Sequence, residues 1–290
     1  MNAFFNFSSA LKIKNGTLLN SQGKIPKENK LAITKAEEKG VLVTICTGRR
    51  FRDALPVALE LKLNAPVICH NGALIKYADS LETVAVSLLE TKTVYEILKV
   101  GKGFGGDALV SCNPHTKGTL LYDTISADNT PLQRYVEWSR RLHGEEAEEA
   151  VHHVESLEEV VDKEEIIHIS FSGTCSPMYD LQRTLEGELQ DKVNILATIY
   201  PQLDFTLLDI LPPNASKGHG LAKLALLNGF SSENIMACGD NFNDIEMLEY
   251  AGTSVVMGNA AQSLLENEGY ETTLSNDENG VALAIERFIL

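Results

Sequence analysis

The sequence predicts an α/β fold: a doubly wound, mainly parallel sheet, its chain interrupted by an inserted α+β domain. Three observations predict it. Short apolar runs that end abruptly in small or polar residues cluster toward the two ends of the chain. Helix-like stretches separate them, and strand–helix alternation builds a parallel sheet covered by helices. The middle of the chain has strands and helices in no strict alternation, which suits an α+β insert. With 290 residues the chain has room for one large domain or two ordinary ones.

The elements follow in order. SSALKIKNGTLLNSQGKIP, residues 8–26, reads as a short strand running into a turn at Asn15-Gly16. KENKLAITKAEEKG (27–40) reads as a helix with Leu31, Ile33 and Ala36 apolar and Gly40 closing it. VLVTICTGRR (41–50), PVICHNGALI (66–75), NIMACGDNFND (234–244) and SVVMGNA (254–260) do not alternate. That suits strands buried on both faces. KGHGLAKLALLNGF (217–230) and NDIEMLEYAG (243–252) are helical. In the middle, DALVSCNP and GTLLYDT form a strand pair, and LQRYVEWSRRLHGEEAEEA a helix with a solvated acidic end at 145–149. IIHISFSG is a strand and SPMYDLQRTLEGELQ a helix. The core is expected over 1–82 and 206–290, and the insert over 83–205.

Bulk properties narrow the function. A net charge of −15 repels nucleic acid and anionic membranes, so neither is expected as a partner. The same field repels phosphorylated metabolites, so a phosphate site needs local positive charge from a metal, a lysine or helix N-termini. Of the five scattered cysteines, Cys46, Cys69 and Cys238 lie in apolar runs as plain buried thiols, and a reducing cytoplasm is the simplest setting. No stretch has the pattern of a signal peptide or a membrane span. His115, His143, His152, His153 and His168 show no metal-ligand spacing.

In open α/β sheets, ligands sit at the carboxyl ends of strands. Four clusters fall there: Thr47-Gly48, Asn71-Gly72, Ser216-Lys217-Gly218, and Gly239-Asp240 with Asn243-Asp244. Each alone has an ordinary explanation: a turn, a surface lysine, a helix N-cap. Together they suit phosphate. The Thr47 hydroxyl can donate to a phosphoryl oxygen and Lys217 supplies a point charge. Asp240 and Asp244 can hold Mg²⁺ directly or through water.

GDNFNDIEMLEYAGTSVVMGNA, residues 239–260, resembles the final motif of haloacid dehalogenase-like phosphatases of the Cof type. SNDENGVALAIERFI (275–289), NGTLLNSQGKIP, ICTGRR, NGALI and SKGHGLA are similar to the family's other landmarks, in order. The resemblance implies a Rossmann-like core with an inserted α+β cap, and a Mg²⁺-dependent phosphatase of small phosphorylated metabolites such as sugar or flavin-type phosphates. It implies an aspartyl-phosphate mechanism in which one Asp attacks phosphorus and a second, two residues on, carries the proton. It assigns phosphate binding to Thr47, Gly48, Lys217 and Asn243, ligand contact to Asn71, metal binding to Asp240 and support to Asp244. The expected assembly is a monomer or homodimer.

The first motif departs from the pattern. Where the family has D-x-D-G-T, this chain has Ile13 and Asn15 ahead of Gly16-Thr17, and its first acidic residue is Glu28. Ile13 cannot attack phosphorus and Asn15 cannot shuttle a proton. A shift of register brings Lys12 and Lys14 instead, and a buried unpaired ammonium is costly in a central strand. Three readings stand: a catalytically silent relative that binds or senses phosphometabolites, an altered reading frame ending near Asn15, or a nucleophile supplied from elsewhere. The abrupt return of the pattern at Gly16 favours the second, and the strict geometry of phosphoryl transfer disfavours the third.

Overall fold

A computed structural model of the protein describes residues 16–290 together with the backbone of residues 2–6. The chain divides into two compact units, Met1–Val84 with Ser216–Leu290, and Ala85–Ala215. The expected strand at the Asn15-Gly16 turn, with Lys12, Ile13, Lys14 and Asn15, lies outside the described residues.

The first unit begins with β1 (Asn2–Asn6), α1 (Lys27–Glu38), β2 (Val43–Cys46), α2 (Phe51–Leu61), β3 (Val67–Cys69), β4 (Leu74–Lys76) and β5 (Thr83–Val86). β1 runs parallel to β2, with Phe4 opposite Thr44. All four β2 residues are buried, as a strand covered on both faces requires. Helix α1 buries Asn29, Ala32, Ile33 and Ala36, one stripe at helical spacing, and stops before Gly40 at φ +81°. Leu31 falls off that stripe and is 52% exposed, so it is not the core residue its apolar side chain suggested. PVICHNGALI is not one buried parallel strand. His70, Asn71 and Gly72 all take positive φ and turn the chain back, so β4 pairs antiparallel with β3.

The second unit contains α3 (Thr91–Gly103), β6 (Asp107–Cys112), β7 (Thr119–Tyr122), α4 (Thr130–His143), α5 (Ala147–Ala150), β8 (Val151–His153), β9 (Ile166–Gly173), α6 (Cys175–Leu189), β10 (Asn194–Tyr200) and β11 (Phe205–Leu211). Among the described residues its sheet has six strands in the order β10-β11-β9-β6-β7-β8. One face, including Val110, Ile169, Phe171, Leu208 and Ile210, packs with Val94 and Ile97 of α3 and Leu181 and Leu185 of α6. The other meets α4 through Leu109, Leu120, Leu132 and Val136. The expected long helix over 132–150 is broken at Gly144, which takes φ +52°, and the acidic residues beyond it face solvent. Residues 206–215 belong to this unit rather than to the core, because β11 pairs antiparallel with both β10 and β9.

The chain then completes the first unit with α7 (Lys217–Leu227), β12 (Ile235–Gly239), α8 (Ile245–Tyr250), β13 (Thr253–Val256), α9 (Gln262–Leu265), β14 (Glu271–Thr272) and α10 (Gly280–Phe288). Among the described residues its sheet has the order β14-β13-β12-β1-β2-β3-β4-β5. Strand β1 lies between β12 and β2, both parallel to it. The order of strands reverses there, and a crevice at such a switch point is where doubly wound sheets bind ligands. No helix among the described residues is long and apolar enough to cross a membrane.

Candidate active site

The loops at the carboxyl ends of β2, β3 and β12, with the first turn of α7, bring the expected residues together. After β2, Thr47 is wholly buried and fixed by its backbone. Its N–H donates to Ile68 O at 2.8 Å and its carbonyl accepts from Asn71 N at 3.0 Å. Its Oγ1 accepts from Arg49 N at 3.1 Å, and Arg49 O accepts from His70 N at 3.0 Å. The β2 and β3 loops are thus zipped together. Asn71 is held at φ 49°, ψ 38°, a left-handed conformation that asparagine tolerates better than most residues. Gly48 lies under it: a Cβ at position 48 would come within 2.9 Å of Asn71 Oδ1.

Lys217 opens α7, behind the N-cap Ser216, whose Oγ accepts from His219 N at 3.1 Å. Lys217 is 1% exposed, and its Nζ donates to Asp244 Oδ1 at 2.6 Å. The other oxygen of Asp244 accepts the backbone N–H groups of Asp240 and Asn241, both at 3.0 Å. Both Asp244 oxygens are thus engaged by protein donors, so as placed it orients Lys217 and shapes the β12 loop rather than offering a free oxygen to a cation. Asn243 Nδ2 donates to Asn71 Oδ1 at 3.3 Å, joining the β12 and β3 loops. Asn243 Oδ1 is buried and has no protein partner.

Asp240 faces the opening loop. Its Oδ1 accepts the Thr17 hydroxyl at 2.6 Å. A Cβ on Gly16 would strike its carboxylate, Oδ2 at 1.4 Å, so only glycine lets the backbone come this close. Burial, then the nearby Asp244 charge, push the Asp240 carboxyl up to about 6, against the Thr17 hydrogen bond and Lys217. A desolvated carboxylate beside a second one favours a neighbouring cation. Asp240 therefore suits a hard cation, although no group of three or more His, Cys, Asp or Glu side chains is arranged to hold a metal among the described residues.

Sequence reasoning missed the groups that hold the opening loop. Asn259 Nδ2 donates to Gly16 O at 2.8 Å and Asn276 Nδ2 to Leu19 O at 2.8 Å. Asn276 N in turn donates to Asn259 Oδ1 at 2.9 Å. The available signal was an asparagine within each of two short polar connections, MGNA and SNDENG. Burial pushes the Cys46 thiol up to about 12 and raises Cys69 and Cys238 as well, which disfavours the thiolate form of these three.

Comparison with known proteins gives the family. Residues 15–285 match the haloacid dehalogenase-like hydrolases. The chain belongs to that family. It is 30% identical to a 5-amino-6-(5-phospho-D-ribitylamino)uracil phosphatase of Bacillus subtilis, YwtE, over 94% of this chain and 95% of that one. It is 29% identical to the pyridoxal phosphate phosphatase YbhA of Escherichia coli, over 84% and 85% respectively. A haloacid dehalogenase-like hydrolase from B. subtilis shares the fold with a TM-score of 0.79 at 21% identity, covering 99% of this chain and 100% of that one. The family match begins at residue 15, just short of Gly16-Thr17, where the opening pattern returns.

Proposed function

We propose that this protein derives from Mg²⁺-dependent phosphatases of the Cof type and recognises a small phosphorylated metabolite in the cytoplasm. The observation that carries the reading is the buried Lys217–Asp244 pair next to Asp240, at the switch point of the parallel sheet. Lys217, the Thr47 hydroxyl and the backbone beside Gly48 bind the phosphoryl oxygens. Asp240 would hold Mg²⁺, which when bound neutralises phosphate charge. Asn243 and Asn71 position the phosphate and the attached group. The unit Ala85–Ala215 serves as the family's substrate-selecting cap. The relatives named for phosphorylated ribitylaminouracil and pyridoxal phosphate support a small ring-bearing phosphate ester, alongside sugar phosphates, as the substrate class.

Turnover requires a carboxylate at position 13 to attack phosphorus and one at position 15 to move the proton. Ile13 and Asn15 provide neither, and this favours a second reading: a catalytically silent binder or sensor of the same ligands. One experiment separates the two. Mg²⁺-dependent release of phosphate from p-nitrophenyl phosphate is measured for the parent, Ile13→Asp, Asn15→Asp and the double variant, with and without apolar replacements of Lys12 and Lys14. We expect no turnover by the parent or either single variant, and activity in the double variant. Parent activity equal to the double variant's would mean that another residue attacks. A folded, inert double variant that still binds phosphate at Lys217 would establish the binding protein.

A further inference from the structure

Among the described residues, strand β10 has no strand on its outer side, and the six-stranded sheet ends with it. Edge strands invite pairing with another chain, and proteins blunt them with short length, charge, proline or a bulge. The other edges follow that practice. β14 has two residues, one of them Glu271; β8 has three, ending in exposed His152 and His153; β5 has four. β10 uses none of these devices. It is seven residues long, reads NILATIY, and contains no charge and no proline. Its register with β11 is unbroken from Asn194↔Leu211 to Tyr200↔Phe205, so no bulge twists it away. None of its seven residues is buried.

The side chains along this edge are also unfinished on the helix-covered face. Ile195 packs partly against the core formed with α3 and α6. Ala197 and Ile199 follow it on the same face, at the strand's two-residue period. Ile199 is 55% exposed and Tyr179 of α6 is 56% exposed. Both line a groove of about 360 Å³ that includes Cys175 and Thr206. With no charged side chain on the strand, two copies of it bring no like charges together along the edge.

We infer that β10 pairs antiparallel with β10 of a second copy of this chain, about a two-fold axis through Ala197, joining the two six-stranded sheets. The sequence is self-complementary in that register. Ala197 lies opposite itself, Ile195 opposite Ile199, Leu196 opposite Thr198, and Asn194 opposite Tyr200. Directly opposed residues point to the same side of an antiparallel pair. Ile195, Ala197 and Ile199 of both copies therefore form one apolar strip beside Tyr179, and no like charges meet. The contact is isologous and closes at two copies. A single strand pair with this strip lies at the small end of specific interfaces, roughly 1,200 Å² or less, so dissociation in the micromolar range is expected.

The test is sedimentation equilibrium of the full-length protein from about 1 to 100 µM, the range in which small interfaces of this kind dissociate. The wild type should approach twice the 31.7 kDa of one chain as concentration rises. Ala197→Lys, which brings two ammonium groups together at the axis, should weaken dimerisation at least about tenfold with unchanged circular dichroism. Ile199→Lys is a second, half-exposed site that should act in the same direction. With oxidised glutathione as the oxidant and Cys175→Ser as background, Ala197→Cys should form a disulfide-linked dimer and Thr198→Cys should not. A wild type that stays at 31.7 kDa throughout, a mass that grows past two copies, or a dimer indifferent to both lysine variants would overturn the inference. Cross-linking at 198 in place of 197 would overturn the register.

Discussion

Lys217 in the first unit and Lys102 in the second make the same contact in different surroundings. Lys217 Nζ lies 2.6 Å from Asp244, with side chains 1% and 0% exposed. Lys102 Nζ lies 2.5 Å from Asp123 and 2.7 Å from Glu158, and although Asp123 is only 8% exposed, the lysine is 34% and the glutamate 37% exposed. Distance alone would rank them equal. A buried pair has lost its hydration on both sides and is strongly destabilised if one partner is removed. A half-exposed pair keeps water as an alternative partner and contributes little. The second cluster ties α3 to the loops after β7 and β8. The first is a desolvated pair at the switch point of the parallel sheet, where neither charge has water to fall back on.

The largest expected effect breaks the buried pair. Lys217→Ala should lower stability by roughly 3–5 kcal/mol in urea unfolding, because Asp244 is left as a buried, uncompensated charge. It should also abolish inorganic phosphate binding measured by calorimetry. Lys217→Met combined with Asp244→Asn should cost less than the sum of the two single changes, since partners in contact do not add. Additive losses would show that Lys217 and Asp244 are not coupled, and phosphate affinity unchanged in Lys217→Ala would place the phosphate elsewhere.

An intermediate effect concerns the opening loop. Asn276→Ala removes the donor to Leu19 O and leaves that carbonyl in a buried setting, at a cost of about 1–3 kcal/mol. Phosphate binding should weaken less than in Lys217→Ala, because Lys217 and Thr47 stand on other loops. A loss of phosphate affinity as complete as in Lys217→Ala, with folding intact, would show that the loop contributes to the phosphate site directly.

The smallest effect belongs to the second cluster. Lys102→Met should cost less than Lys217→Ala, about 1 kcal/mol at neutral pH, because Lys102 and Glu158 are partly exposed and Asp123 Oδ2 keeps the Leu157 N–H. Its pH dependence has a definite sign. Burial pushes the Glu158 carboxyl upward, but hydrogen bonds from Lys102, the backbone and Ser156, with the Lys102 charge, hold it below its ordinary 4.5. A depressed carboxylate adds stability above its unfolded-state value, and that stability is lost as pH falls through the folded value. Wild-type and Lys102→Met unfolding curves should therefore differ most above pH 4.5 and converge in acid. Divergence that grows in acid would show that Glu158 is not the group responding to Lys102.

Much of the fold was legible because its signals are local. The buried runs at β2, β12 and β13, the helix ending before Gly40, and the β6–β7 pair each follow from a few adjacent side chains and turn residues. The reversal inside PVICHNGALI was legible but passed over: Asn71-Gly72 is the same turn dipeptide as Asn15-Gly16, and the unbroken apolar run around it hid that the chain turns back. The place of residues 206–215 in the second unit was hidden for a related reason. An apolar strand does not announce which sheet will accept its hydrogen bonds.

The sequence by itself determined the family pattern, the four clusters at strand ends, and the absence of any acid before Glu28, because residue identity and spacing are properties of the chain alone. Only the tertiary structure decided how those residues divide their work. Asp240 and Asp244 are four residues apart and chemically alike. One faces Thr17 and Gly16 with a raised carboxyl; the other gives one oxygen to Lys217 and the other to two backbone N–H groups. That difference arises from which loops meet at the sheet's switch point, and loops distant in sequence meet only through packing of the whole domain.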